Sequence, residues 1–464
     1  MMTATVLHCK TAVLQILRRG IQPAIHSARS VPLTSRDALT PHFFQRALAC
    51  HSLRSQFHTG PPRALSKTTT TDLPSSTAAE QLPPLPSPPS SWSGTSPFAF
   101  AFDIDGVLCH SKTPYPSAKP TLHQLQCSSV PFLFLTNSGG ETEQARATTL
   151  SERFGLTIND TNIVQSHTPF QRIASEGKLP PAYDPYVPGG RKFANSVLVV
   201  GGPTDGSCRL AAQQYGFKNV VLVEDFLVKY SAAVGNNPST LWPYRSVSKN
   251  IRKFAKPLPC LRSGEVMPID AIFIFNDPRD WGLSIQLLLD IMIPALEGNT
   301  AEKPPPPLIF SNPDLLYATS HPAPRLGQGA FRAALEGTYR RVVEATRPEL
   351  DPQMKYACIG KPFQETYEYA EDLLVKLAKL AKKEPVGAED QLKRVYMIGD
   401  NPLSDIQGAN MFKSPRGVEW VSVLVETGVY KPGQSFPPGG EPKIVVKDVW
   451  SAVQWALEKE GWQK

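Results

Sequence analysis

Asp103 and Asp105 stand one residue apart in the stretch FAFAFDIDGV, directly after a run of five apolar residues. Like charges that close repel each other, so the pair makes physical sense where a cation offsets the repulsion or where one carboxyl keeps a proton. Three more groups of polar residues end apolar runs in the same way: Thr136, Asn137 and Ser138 after VPFLFL, Lys361 in IGKP, and Asp400, Asn401 and Asp405 in IGDNPLSD. Together these are the residue types that phosphoryl transfer through a covalent aspartyl phosphate requires. An ionised carboxylate attacks, cations and donors surround the phosphoryl oxygens, and a second carboxyl protonates the leaving oxygen.

The expected roles follow from that chemistry. Asp103 is the nucleophile, held ionised by a divalent cation and by Lys361. Asp105 protonates the leaving alcohol and then activates water. Mg²⁺ takes oxygen ligands and substrate phosphate, which suits Asp103, the Asp105 backbone carbonyl and Asp400. Asp405 and Asn401 act around that shell, Asp405 through water or by orienting its neighbours. Thr136 offers a hydroxyl and a backbone N–H to the phosphoryl oxygens, with Asn137 beside it, and Lys361 supplies a point charge. Singly, each motif reads as readily as a turn or a helix cap. Their joint occurrence, each at the end of an apolar run, favours one shared site.

The elements that must position these residues are legible as runs. FAFAF, VPFLFL, SVLVVGG, VVLVED, AIFIFND, PLIFSN, YACIG and VYMIG are continuous apolar stretches of the kind buried on both faces, which predicts parallel strands covered by helices. Ligands bind beyond the carboxyl ends of such strands. Helical spacing appears in ETEQARATTLSERFG, with Gly155 as its stop, and in residues 364–383. More than 200 residues separate Thr136 from Lys361, too many for one sheet to absorb. The expectation is an α/β protein with a Rossmann-like core over residues 98–167 and 327–464 and an inserted α/β cap over 168–326.

Charge is confined to one end. Residues 1–97 hold nine Lys and Arg against three acids, which accounts for six of the seven net positive charges. The rest is close to neutral and predicts no nucleic-acid face. Residues 1–60 carry Arg, Ser, Thr and His with Asp37 as their one acid, the composition of a mitochondrial transit peptide, although Lys10 interrupts the apolar side of a helix over residues 5–19. Residues 61–97 read as a disordered Pro/Ser/Thr-rich linker. No run of 18 apolar residues predicts a membrane-spanning helix. Seven scattered cysteines, never in a CxxC pair, predict neither a structural zinc nor a disulfide framework.

The motifs DIDGV, TNS, Lys361 in GKP, and GDNPLSD resemble those of the haloacid dehalogenase superfamily, and the insertion resembles the class II cap of its nitrophenyl phosphatase and pyridoxal phosphate phosphatase branch. SHTPF, SNPDLLY, RLGQGAF, TYEYAEDLL and GDNPLSDIQGAN are similar to the cat eye syndrome critical region protein 5 subfamily. The likeness runs from about Phe98 to Tyr430, with VETGVY near its end. It implies a modified Rossmann core, a Mg²⁺ requirement, a mitochondrial setting, and a link to glycerophospholipid synthesis.

The expected function is a Mg²⁺-dependent phosphatase for a small phosphorylated metabolite in the mitochondrial matrix; a homo-oligomer is compatible with this. Two rivals stand beside it: a phosphotransferase or mutase using the same phosphoenzyme, and an interaction protein of the same fold with little turnover. GGPTDGS at 201–207 lacks the GK[ST] of a phosphate loop and reads as a turn. Asn312 and Asp314 either reach the site from the cap or cap a helix. His110, His167 and His321 lack metal-ligand spacing.

Overall fold

The computed structural model describes residues 82, 84–90, 96–177, 179, 196–234, 247–258, 268–293, 305–317, 319, 321, 323–382 and 392–463. The chain divides into two units, residues 1–81 and 82–464. The expected transit peptide and its helix over residues 5–19 lie outside the described residues.

Two parallel sheets organise the second unit. The first contains β1 (Phe98–Phe102), β4 (Phe132–Leu135), β5 (Ile163–Val164), β13 (Arg394–Gly399), β14 (Glu419–Val425) and β15 (Ile444–Val446), in the order β15-β14-β13-β1-β4-β5. A short hairpin of β2 (Cys109–His110) and β3 (Thr113–Pro114) follows β1. The second sheet contains β6 (Ser196–Val200), β7 (Val220–Leu222), β8 (Ile269–Ile274), β9 (Leu308–Phe310) and β12 (Ala357–Cys358), in the order β12-β9-β8-β6-β7. Between β9 and β12, β10 (Leu316–Tyr317) and β11 (Arg325–Leu326) form an exposed antiparallel ribbon. The α/β class and the parallel pairing agree with the sequence reading.

The alternation in FAFAF explains how the first sheet is covered. Side chains of a strand alternate between faces, so Phe98, Phe100 and Phe102 pack with α1 (Ala118–Cys127), α2 (Glu143–Phe154) and the last helix, α11 (Val449–Lys459). Ala99 and Ala101 face the other way, where their small size admits Tyr367 and Leu374 of α9 (Gln364–Lys382) and Ala409 of α10 (Gln407–Met411). Helix α2 starts where Thr142 accepts a hydrogen bond from the Ala145 N–H and stops at Gly155, whose φ of +65° is the left-handed conformation expected of a glycine stop.

The second sheet is likewise double-covered. One face packs on α3 (Phe170–Glu176) and α4 (Ser207–Gln214) through Phe170, Ile173, Ala211 and Ala212. The other packs on α5 (Val223–Val234), α7 (Trp281–Met292) and α8 (Gln328–Thr346). A short helix, α6 (Lys249–Phe254), lies between α5 and β8. VVLVED is a strand only as far as Leu222; a helix takes over at Val223 and places Glu224 and Asp225 in its first turn, where acids suit the helix dipole.

Two boundaries differ from the sequence reading. The return to the core was expected at residue 327, but Phe331, Leu335, Tyr339 and Val343 of α8 pack into the second sheet's cluster, and β12 pairs with β9. The linker expected over 61–97 is docked in part: Leu85 is buried in the first sheet's cluster, and Ser87 exchanges backbone hydrogen bonds of 2.7 and 3.0 Å with Gln463. Burying one leucine and satisfying two backbone pairs orders that piece despite its proline-rich surroundings. The described cysteines, Cys109, Cys127, Cys208 and Cys358, are free thiols. Among the described residues no helix is long and apolar enough to cross a membrane.

Candidate functional site

The carboxyl ends of the two sheets meet. Loops following β6, β8, β9 and β12 come against the loops following β4 and β5, the crevice where α/β proteins gather ligands. Asn276 Nδ2 donates to the Gly139 carbonyl at 2.7 Å, Ser207 Oγ to the Gly140 carbonyl at 2.7 Å, and Ser166 Oγ to Ser311 Oγ at 3.1 Å. The GGPTDGS stretch is thus a turn into α4 whose last residue grips the loop after β4.

At the centre, Lys361 Nζ donates to Asp103 Oδ1 at 2.7 Å, to Asp405 Oδ1 at 2.6 Å and to the Leu135 carbonyl at 2.8 Å. All three donor directions of the ammonium are used. Carboxylate oxygens of Asp103, Asp400 and Asp405 lie within 4.8 Å of one another, and all three residues are buried. Burial, with the neighbouring Asp405 and Asp400 charges, raises Asp103 well above the usual carboxylate range despite Lys361. Burial and Asp405 push Asp400 up to about 7. Burial alone would lower the Lys361 ammonium, but Asp103 and Asp405 outweigh it and raise its pKa. Three carboxylates against one ammonium leave negative charge uncompensated in a low-polarity site. That donor set, all hard oxygen, fits a divalent cation of the Mg²⁺ or Ca²⁺ type.

The other residues singled out from sequence take distinct places. Asp105 is exposed and stands outside the carboxylate cluster, yet the surrounding protein raises its pKa by desolvation. The Thr136 N–H donates to the Val164 carbonyl at 3.0 Å, so strand pairing removes the backbone donor expected for phosphate there; the hydroxyl contacts Ser138 Oγ at 2.9 Å. Asn137 ties the two layer systems together: its Oδ1 accepts from the Lys361 N–H at 2.9 Å, and its Nδ2 donates to the Lys361 carbonyl and to Asp314 Oδ2, each at 3.0 Å. Asp405 Oδ2 accepts from the backbone N–H groups of Asp400 and Asn401 at 3.1 and 3.0 Å. Asn401 caps the π-helical turn Pro402–Ile406 by accepting from the Leu403 N–H; such widened turns recur at functional sites. Asn312 and Asp314 do not cap a helix: Asn312 Nδ2 donates to the Asn137 carbonyl at 2.9 Å, and Asp314 meets Asn137 as above.

Several contributors carried no sequence signal strong enough to find them. The Val429 N–H donates to Asp400 Oδ2 at 2.6 Å. A Cβ at Gly428 would lie 1.9 Å from the same oxygen, and one at Gly106, whose φ is +91°, would lie 2.3 Å from it. Both glycines therefore give Asp400 its room. Thr427 Oγ1 donates to the Gly106 carbonyl at 2.5 Å and fastens the two loops together. His167 is a core histidine: Nε2 accepts from the Gly140 N–H at 2.9 Å, which leaves the proton on Nδ1 to meet the Tyr215 hydroxyl at 2.7 Å, and Tyr215 donates to Glu143. Burial, aided by the Arg146 charge, pushes His167 down to about 3.

The sequence matches the profile of the haloacid dehalogenase-like hydrolases over residues 100–218 and a second profile of the same hydrolase group over 358–452. It is 32% identical over 381 residues to the mitochondrial hydrolase YKR070W of Saccharomyces cerevisiae, covering 78% of this chain and 96% of that protein. It is 35% identical over 366 residues to a cardiolipin synthase (CMP-forming)/mitochondrial hydrolase fusion protein of Schizosaccharomyces pombe, where the match takes 78% of this chain but 53% of the fusion. Similar solved structures include a hypothetical protein from Pyrococcus horikoshii, 19% identical, with a TM-score of 0.46 over 77% of this chain and 99% of that one. Another is a magnesium complex of a glycerol phosphate phosphatase from Mycobacterium tuberculosis, 19% identical, with a TM-score of 0.42 over 76% and 75%. With the near-complete span of the yeast relative and two matched profiles, the chain belongs to the haloacid dehalogenase-like hydrolases.

Proposed function

We propose that the protein is a Mg²⁺-dependent phosphatase that hydrolyses a small phosphomonoester through an aspartyl phosphate. The observation that carries the reading is Lys361 Nζ bridging Asp103 and Asp405 beside Asp400. Lys361 fixes Asp103 Oδ1, leaving the other carboxylate oxygen to attack phosphorus. The P–O bond to the leaving alcohol breaks as the Asp103 O–P bond forms, and Asp105, whose raised pKa suits an acid, gives its proton to the departing oxygen. The Asp105 carboxylate then takes a proton from water as that water attacks the phosphoenzyme, releasing inorganic phosphate and restoring Asp103. Asp103, the Asp105 backbone carbonyl and Asp400 would hold the cation, which supplies positive charge for the carboxylates and the phosphoryl oxygens. Asp405 holds the Asp400 loop and Lys361 in place, and Thr136 offers its hydroxyl to the phosphoryl group.

The two curated relatives are named as mitochondrial hydrolases, which supports a mitochondrial setting and is consistent with the matrix. The fusion of one of them to a cardiolipin synthase supports a substrate in glycerophospholipid metabolism. The test is phosphate release by the purified chain from a panel of small phosphomonoesters with Mg²⁺. Release that depends on Mg²⁺ and disappears in Asp103→Asn is expected; release that persists in Asp103→Asn overturns the nucleophile.

A further inference from the structure

Asn137 belongs to the loop after β4 of the first sheet, yet its side chain is held by two loops of the second. Oδ1 accepts from the Lys361 N–H, and the hydrogens of Nδ2 go to the Lys361 carbonyl and to Asp314 Oδ2. An amide nitrogen has two hydrogens to give, so both are used. The socket around this amide is closely built. Asp314 follows β9 and Lys361 follows β12, strands that pair in parallel. Gly360 lets their loops close, since a Cβ there would lie 2.1 Å from the Ser311 carbonyl and 3.0 Å from Asn137 Oδ1. The main chain that carries the Asp314 carboxylate is fixed in turn: its N–H donates to Asn312 Oδ1 at 2.7 Å, and its carbonyl accepts from the Gly329 N–H at 2.8 Å. The Asn312 N–H donates to Oε1 of the buried Gln328 at 2.8 Å, which pins the loop to the first turn of α8.

Asp314 stands outside the carboxylate cluster, and no chemical step above uses it. We propose that Asp314 is a positioning residue: by accepting from Asn137 Nδ2 it fixes the amide in the orientation that grips both main-chain groups of Lys361, and so sets where the Lys361 ammonium meets Asp103. The inference rests on the phosphatase reading, in which Lys361 restrains the nucleophile. Burial pushes Asp314 up to about 6, so above that pH it is ionised and only accepts hydrogen bonds. It therefore admits the nitrogen end of the amide and rejects the oxygen end. A reversed amide would set its NH2 against the Lys361 N–H and its oxygen against the Lys361 carbonyl, two contacts of like with like that would push the Lys361 loop away from the first sheet. Asn137 thus acts through Lys361, and Asp314 is what locks it.

The experiment measures kcat and KM of the full chain on the small phosphomonoester it hydrolyses best, at saturating Mg²⁺ and well above that pH. Asp314→Ala and Asp314→Leu both delete the acceptor, the second while filling the space; Asp314→Asn keeps a carbonyl oxygen for Asn137. The two acceptor-free variants should lose roughly 10-fold or more in kcat with KM changed by less than about twofold. Asp314→Asn, nearly the same shape, should keep most of the wild-type kcat whether or not the other two fold. In an Asn137→Ala background, Asp314→Ala should remove little more, because its effect runs through that amide. Unchanged kcat in the acceptor-free variants, a loss in Asp314→Asn equal to theirs, or an undiminished loss in the Asn137→Ala background overturns the proposal while leaving the phosphatase reading intact. Absence of Asp103-dependent release by wild type from every ester would instead overturn the phosphatase reading, and this inference with it.

Discussion

Lys361 Nζ and Asp405 Oδ1 lie 2.6 Å apart, and the other oxygen of the same carboxylate receives the N–H groups of Asp400 and Asn401. Asp405 is therefore the joint between the loop that carries Lys361 and the loop that carries Asp400. Asp405→Asn keeps the shape but turns one acceptor into a donor facing either the ammonium or the two N–H groups. The expected outcome is a fall in metal affinity of roughly 10- to 100-fold. A Mg²⁺ titration of phosphate release checks it, and an unchanged midpoint would show that Asp405 does not position the site.

Lys361→Met removes the ammonium that touches Asp103 and Asp405 and leaves their charges buried without it. Such a loss costs about 3–5 kcal/mol where one partner of a buried ion pair is deleted. In the absence of added cation the variant should unfold at lower denaturant, and its turnover should be lost. Chemical denaturation in EDTA measures the first effect, phosphate release the second.

The carboxylate cluster predicts an unusual pH dependence. Asp400 titrates near 7 in the fold against 3.8 as a free side chain, and Asp103 is also raised. Between those values the folded chain binds more protons than the unfolded one, so this contribution to stability is full below about 4 and is lost as pH rises through about 7. A divalent cation that binds the ionised carboxylates should stabilise most at the upper end of that window. Melting temperatures across pH, in EDTA and in Mg²⁺, should therefore diverge as pH increases; parallel curves would count against the cluster as the metal site.

Gly428→Ala places a methyl where Asp400 Oδ2 now sits, at a calculated separation of 1.9 Å. The Asp400 carboxylate must move, and the Val429 N–H that holds it loses its partner. Activity should fall by roughly 100-fold or more, with most of the fold's stability retained. Far-UV circular dichroism alongside kinetics separates the two effects.

His167→Phe preserves ring volume against Phe275 but deletes the acceptor of the Gly140 N–H and the partner of Tyr215. An orphaned buried donor costs about 1–3 kcal/mol. A lowered unfolding midpoint is expected, and His167→Gln, whose amide reaches the place of Nε2 and can still accept from Gly140, should recover part of it.

The sequence alone determined the acidic and basic residues and the strand ends that carry them, because an apolar run that stops at a charged residue reports both a buried strand and an exposed tip. FAFAF goes further: its alternation of large and small residues already says which face admits a close helix. What the tertiary structure decided is the company those tips keep. Nothing local distinguishes YACIG from VYMIG, yet the first belongs to the second sheet and delivers Lys361 from across the crevice, while the second belongs to the first sheet and delivers Asp400. Likewise Gly106, Gly428 and the Val429 N–H matter only because two loops more than 300 residues apart meet around one carboxylate oxygen, a close approach that depends on packing and leaves no spacing in the chain.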